Sequence, residues 1–262
     1  MAVRPVHGIS LCAGGGGLDL GLDIAIPGYR TVCYVEREAY AASVLVARMA
    51  EAALSQAPVW DSIESFDGKP WRGLVHLISA GDPCQPWSHA GQRKGYDDER
   101  VVFDDVARIV GEVEPEFVFL ENVAGAIDFR YDCKAVLESM GYRVEAGLFS
   151  AAEVGASQER ERCFLLAYAA SNLWRASGDG GRITSDGASN LPLFAPGRNE
   201  IDAWLEVLSI DPSLEPAIRG DADGLSYRVE RLQALGNAVV PLTAALAFAT
   251  LYKRLIRDEE AL

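Results

Sequence analysis

A cysteine behind a proline closes an apolar run in this sequence: Gly81-Asp82-Pro83-Cys84 follows Leu74 to Ala80. The run reads as a buried strand, so Cys84 falls at a carboxyl end, where open α/β sheets place their chemistry. Two readings of Cys84 stand together: a small buried thiol, the common fate of free cysteine, or a nucleophile. A second stretch, Gly8 to Leu22, is a strand running into the four glycines Gly14 to Gly17 and then a helix. Glycines there let the backbone approach a ligand closely. The run is neither G-x-G-x-x-G nor a P-loop, so a purely structural turn is its other reading. Two acids favour the ligand. Glu36 ends the next apolar run, about 20 residues on, where a carboxylate can accept from both hydroxyls of an adenosine ribose. Asp61, in Val59-Trp60-Asp61-Ser62-Ile63, follows a third apolar segment and can accept from an adenine amino group. Nothing phosphate-binding accompanies them, a combination that S-adenosylmethionine fits.

The elements that must position these residues alternate. Apolar runs at His7 to Ala13, Tyr29 to Val35, Leu74 to Ala80, Phe117 to Leu120, Tyr142 to Phe149 and Cys163 to Ala169 read as strands. Helical patterns lie between them, at Glu38 to Leu54, Val101 to Val110 and Lys134 to Met140. Strands separated by helices imply a mostly parallel, doubly wound α/β sheet. After Tyr168 the composition turns to Gly, Ser, Asn and Asp, predicting loops over Ser171 to Asn199. Order returns with a helix at Ile201 to Leu208 and again from Arg228 to the end. Leu235 to Tyr252 is uncharged but interrupted by Gly236, Asn237 and Pro241, and reads as a packed amphipathic helix rather than a membrane span.

The matching blocks then come in a characteristic order: the Gly-rich Ala13 to Gly17, the acid Glu36, Asp61, "DPCQPWS" from Asp82, "ENV" from Glu121, "QERER" from Gln158 and "GNAVVP" from Gly236. In this order they resemble the DNA (cytosine-5) methyltransferases, of a compact bacterial or phage-borne type, over nearly all of the chain outside Ser171 to about Arg219. The resemblance implies a Rossmann-like methyltransferase fold, S-adenosylmethionine as methyl donor with S-adenosylhomocysteine as product, and double-stranded DNA as substrate. It makes Cys84 the nucleophile at carbon 6 of cytosine. Glu121 becomes the acid at N3, although a solvated strand-end carboxylate is the bland reading of that residue. Arg160 and Arg162 alternate in a strand-like segment and would face one side together. By resemblance Arg162 holds the cytosine O2 and Arg160 helps position the thiolate; an exposed edge strand of alternating charge is the alternative. Asn122 would order the turn. The cofactor set it implies is Ala13, Gly14, Gly16, Gly17, Glu36, Arg37, Asp61, Ser62, Gly81, Pro83, Asn237, Ala238 and Val239. Gln85, Ser88, Gln92, Arg93 and Lys94 lie in a loop expected to close over a base turned out of the duplex. Cys12, Arg37 and Trp87 stand where the family commonly has phenylalanine, an apolar residue and phenylalanine.

Composition bounds the rest. Five scattered cysteines, three histidines and no C-x-x-C pair argue against a metal site or a disulfide framework and favour a reducing compartment. Met1 to Pro5 has no signal-peptide core behind it, so a cytoplasmic location is expected. A net charge of -14 argues against a nonspecific nucleic-acid coat and leaves room for a local basic groove. The expected organisation is a catalytic and cofactor domain over 1–168, a reduced target-recognition segment over 169–228, and a segment over 229–262 that returns to the catalytic domain beside the first glycine-rich strand. The short recognition segment implies a short site or relaxed specificity. A monomer is expected, with a cognate restriction nuclease as a further partner. Two other functions stay open: RNA cytosine-5 methylation, and a non-catalytic or partner-dependent DNA-binding subunit of the same fold.

Overall fold

The computed structural model describes residues 5–81, 102–169 and 238–257, with backbone only at 127–129, and Asp202, Leu205, Glu206 and Ser209. These last four are helical, within the stretch expected as Ile201 to Leu208 or just past it. The segments 82–101 and 170–201 and most of 203–237 lie outside the described residues.

Seven strands form one sheet in the order β3-β2-β1-β4-β5-β7-β6. They are β1 (Val6–Leu11), β2 (Tyr29–Val35), β3 (Val59–Trp60), β4 (Leu77–Gly81), β5 (Phe117–Val123), β6 (Arg143–Phe149) and β7 (Arg162–Tyr168). The pairs joining β3, β2, β1, β4 and β5 are parallel, whereas β7 runs antiparallel between β5 and β6. The chain winds outward from β1 in one direction and from β4 in the other. Their shared boundary is therefore the switch point, the crevice where such sheets bind ligands.

The helices are α1 (Gly17–Ala25), α2 (Ala39–Ala50), α3 (Phe103–Val113), α4 (Ile127–Ser139) and α5 (Pro241–Arg257). Both faces of the sheet are covered, which is why β5 is apolar at successive positions rather than alternately. On one face α3 and α4 cover Ile78, Val118, Leu120 and Leu165; on the other α1 and α5 cover Leu77, Phe117, Phe119, Phe164 and Leu166. The stripe Phe103, Val106, Ile109, Val110, Val113 gives α3 its buried side, and Asp104 and Asp105 in its first turn complement the helix dipole. Pro115 stops it one residue after Glu114 turns left-handed.

Three expectations need correction. Helix α5 packs on α1, β6 and β7, not beside β1: an added Cβ at Gly21 would lie 2.6 Å from both Ala244 Cβ and the Pro241 carbonyl oxygen. Strand β4 begins at Leu77, because Leu74 and Val75 bond back to Trp71 in a turn. Helix α4 begins seven residues before Lys134. Finally, the register of β1 with β2 slips between Gly8 and Ile9 and leaves Val32 bulged. Thr31 thereby faces α1 while Cys33 and Val35 face the opposite core.

Among the described residues no helix is long and apolar enough to cross a membrane.

Candidate active site

Parallel register brings the sequence-predicted residues to one edge. Leu11 pairs with Val35 and Ala80, Val35 with Trp60, and Gly81 with Glu121. The residues that follow, Cys12, Glu36 and Asp61, therefore leave the sheet side by side. Cys84 comes three residues beyond Gly81 in the sequence. Because β7 is antiparallel, its first residue reaches the same edge: Arg162 pairs with Val123, diagonal to Glu121 on one face.

That diagonal is an ion pair. Arg162 Nε lies 3.0 Å from Glu121 Oε1, with both side chains largely buried. Arg162 Nη1 also donates to the Glu161 carbonyl at 3.0 Å. Breaking a buried pair by removing one partner leaves an uncompensated charge and costs about 3–5 kcal/mol. Beside it lies Gly81, where an added Cβ would make only ordinary contacts, 3.7 Å from Glu121 Oε2 and 3.5 Å from the Cys12 carbonyl oxygen. Asn122, buried, accepts from the Val123 N–H through its own side chain at 2.7 Å at the end of β5.

Arg160 departs from the strand reading. Strand β7 starts at Arg162, and Arg160 has a left-handed backbone (φ 37°), so alternation does not set its direction. Its guanidinium instead donates to the Ala238 carbonyl across the site. The segment 238–240 rests on the start of α1, where an added Cβ at Gly17 would lie 2.6 Å from the Val239 carbonyl oxygen.

Glu36 organises the glycine turn. Its Oε2 accepts from the Gly14 N–H and its Oε1 from the Glu38 N–H, each at 2.7 Å. Ala13 N–H donates to the Val35 carbonyl, Gly16 N–H to that of Ala13, and Arg48 Nη1 to that of Gly15 at 2.5 Å. Gly16 has a left-handed backbone (φ +77°) that favours glycine, and an added Cβ would displace the end of the Leu54 side chain, whose Cδ1 lies 2.6 Å away. Asp61 and Arg37 are exposed, and Ser62 Oγ accepts from the Glu64 N–H at 3.3 Å. The loop after Asp61 is anchored by Arg108 of α3, which donates to the carbonyls of Ile63 (2.8 Å) and Phe66 (2.9 Å). Pro83, Cys84, Gln85, Trp87, Ser88, Gln92, Arg93, Lys94 and Asn237 lie outside the described residues.

Beneath α1, buried Asp19 accepts from Ser10 Oγ (2.8 Å) and Thr31 Oγ1 (2.7 Å), pinning the helix that follows the glycine turn to β1 and β2. Burial raises its pKa above the ordinary carboxylate value, partly opposed by those hydrogen bonds. Burial likewise pushes the Cys33 thiol up to about 11, the behaviour of an inert core cysteine.

The acceptors at this edge, Glu36 and the exposed Asp61, could hold a nucleoside's hydroxyl and amino groups. Each Glu36 oxygen, having accepted one N–H, keeps a further lone pair for a ribose hydroxyl. Sequence reasoning missed Arg48, Arg108 and Arg130, each of which donates to a main-chain carbonyl outside its own helix. Arg48 carried a signal as the one charged residue of α2, and Arg108 carried one in its helical spacing to Asp105 and Glu112.

Residues 6–193 match the family model described as C-5 cytosine-specific DNA methylase. The chain is 34% identical over 168 residues to the Type II methyltransferase M.NgoMIV of Neisseria gonorrhoeae, covering 61% of this chain and 50% of that protein. It is 35% identical over 182 residues to the Type II methyltransferase M.PspPI of Psychrobacter sp. (strain TA137), covering 63% and 41%. The chain thus spans about half the length of the curated relatives it matches. Entamoeba histolytica methyltransferase EhMeth superposes with a TM-score of 0.53 at 16% identity, covering 68% of this chain and 57% of that one. S. pombe Dnmt2 methyltransferase does so at 0.50 and 21%, covering 68% and 59%. Both share the fold.

Proposed function

This chain belongs to the C-5 cytosine-specific DNA methylase family, and we propose that it transfers a methyl group from S-adenosylmethionine to carbon 5 of cytosine in double-stranded DNA. The observation that carries the reading is the buried Glu121–Arg162 pair beside Gly81, three residues before Cys84.

Carbon 5 of cytosine is too poor a nucleophile to take a methyl group unaided, so the Cys84 thiolate adds at carbon 6 and makes the ring an enamine. Addition pushes electrons toward N3, where Glu121 shares a proton. Arg162, already on the Glu121 carboxylate, reaches the cytosine O2 as well. Arg160 ties the Ala238 carbonyl to the site, holding the segment that bears Asn237 and Val239. When bound, S-adenosylmethionine supplies an electrophilic methyl group on its sulfonium. Glu36 takes its ribose, Asp61 its adenine, and Ala13, Gly14, Gly16 and Gly17 let the backbone approach it. Loss of the carbon 5 proton then expels Cys84 and restores the ring.

A stacked base offers neither face, so the cytosine must be turned out of the duplex. Gln85, Ser88, Gln92, Arg93 and Lys94 contact the DNA around it. The segment 169–228 carries target recognition. We place the protein in the cytoplasm as a monomer, alone or with a cognate restriction nuclease.

Competition between duplex DNA and structured RNA for methyl groups from radiolabelled S-adenosylmethionine tests the reading. Label in duplex DNA is expected. Label confined to RNA, or none in either, would overturn it.

A further inference from the structure

Arg130 is a buried cation that the chemistry proposed above leaves unused. It lies in α4, is 1% exposed, and is the largest of the fully buried side chains. Its Nη2 donates to the main-chain carbonyl of Glu121 at 2.7 Å, and its Nη1 to Cys133 Sγ, one turn along the same helix, at 3.7 Å. Close packing around the 1% exposed side chain limits its movement, so the first contact ties Glu121 to α4 rather than to a swinging side chain.

The tie adds to the two ladders that meet at Glu121, whose main chain pairs with Gly81 of β4 and Phe164 of β7. A guanidinium is costly to bury, and an apolar residue would fill the inner face of α4 beside Cys133 and Leu137 more cheaply. Glu121 is therefore gripped at two ends by two arginines. Arg162 holds the carboxylate, and on the function proposed above it must also serve the cytosine O2. Arg130 holds the main-chain carbonyl instead, away from the carboxylate that meets the base.

We propose that Arg130 is a positioning residue for Glu121, fixing the main chain of the acid from α4 so that its carboxylate meets N3 of the flipped cytosine. The proposal rests on the function stated above.

The test uses a step that needs no cofactor. Addition of the Cys84 thiolate at carbon 6 lets carbon 5 take a proton from water; cleavage of the other carbon 5 bond to hydrogen and departure of the thiolate then restore cytosine. Duplex DNA tritiated at carbon 5 of cytosine thus releases tritium to water. The full chain is compared with Arg130→Met and Arg130→Lys for tritium release, S-adenosylhomocysteine affinity, duplex affinity and thermal unfolding. Arg130→Met is expected to exchange at least tenfold more slowly with both affinities within twofold of wild type. Arg130→Lys, which keeps a charged donor without the planar fork, is expected to lose about threefold. A merely structural role would lower exchange and both affinities in parallel with the melting temperature. That parallel loss overturns the proposal, as does a wild-type exchange rate in Arg130→Met or, should that variant not fold, in Arg130→Lys. Absence of release by the wild-type protein overturns the function and this inference together; equal release by wild type and variants overturns the inference alone.

Discussion

Gly17→Ala is the substitution most sensitive to how the cofactor edge is assembled. Gly17 is the first residue of α1, and an added Cβ would lie 2.6 Å from the Val239 carbonyl oxygen and 3.3 Å from Val239 Cβ. Neither is the far end of a flexible side chain, so backbone must move by several tenths of an ångström. Overpacking of this kind costs about 1–3 kcal/mol. Alanine recovers up to about 1 kcal/mol of helix propensity in a helix interior, and less at a first helical position. The net loss is about 1–2 kcal/mol. If the strain is relieved by pushing 238–240 away from α1, binding must reverse that shift, and affinity for S-adenosylhomocysteine falls about tenfold. Gly15→Ala is the control, since its Cβ meets only Val44 Cγ1 at 3.8 Å and Arg48 Nη1 at 4.0 Å, ordinary contacts. Calorimetric titration and urea unfolding of both variants are the assay. Wild-type affinity and stability in Gly17→Ala, or equal losses in the two variants, would refute the seam between α1 and 238–240 as the device that positions the cofactor edge.

Three further outcomes follow from contacts already described. Glu36→Ala removes one hydrogen bond to the glycine turn, one to the Glu38 N–H and those to the ribose, and should weaken cofactor binding by roughly 1–3 kcal/mol; an unchanged titration contradicts the assignment. Asp19 has its folded pKa raised, so the folded state holds the proton more tightly than the unfolded chain, and its contribution is greatest below the ordinary value of 3.8 and is lost as pH rises through the folded value. Urea unfolding at several pH values should therefore show Asp19→Asn gaining on wild type as pH rises above that window's lower edge, and a difference that is flat or opposite in sign contradicts it. Arg108→Met should speed amide hydrogen exchange across residues 61–68 and lower cofactor affinity a few-fold; exchange unchanged in that loop refutes the anchor.

Much of the edge was legible because it follows from strand ends. Apolar runs locate Leu11, Val35, Ala80 and Leu120, and parallel register then aligns whatever comes after them. The Glu121–Arg162 pair was half legible. The residues were identified, but the pairing depends on β7 running antiparallel, which places an N-terminus among carboxyl ends, and apolar periodicity is blind to strand direction. Arg160 was misread because a charged alternation looks like a strand even where the backbone turns left-handed. The main-chain partners of Arg48, Arg108 and Arg130 were out of reach for another reason. Each is a carbonyl outside the arginine's own helix, and a carbonyl has no residue type to betray it. The early start of α4 was missed since only Arg130, Cys133 and Leu137 of its described side chains face the core, too sparse a stripe to reveal a helix.

The central claim, methyl transfer to cytosine through Cys84, is tested most directly by base-resolution bisulfite sequencing. Unmethylated duplex DNA is incubated with the protein and S-adenosylmethionine, with Cys84→Ala in parallel. The account predicts cytosines protected from conversion in a common sequence context with the wild-type protein and none with Cys84→Ala. Full conversion with both proteins, or protection that survives the substitution, would contradict it.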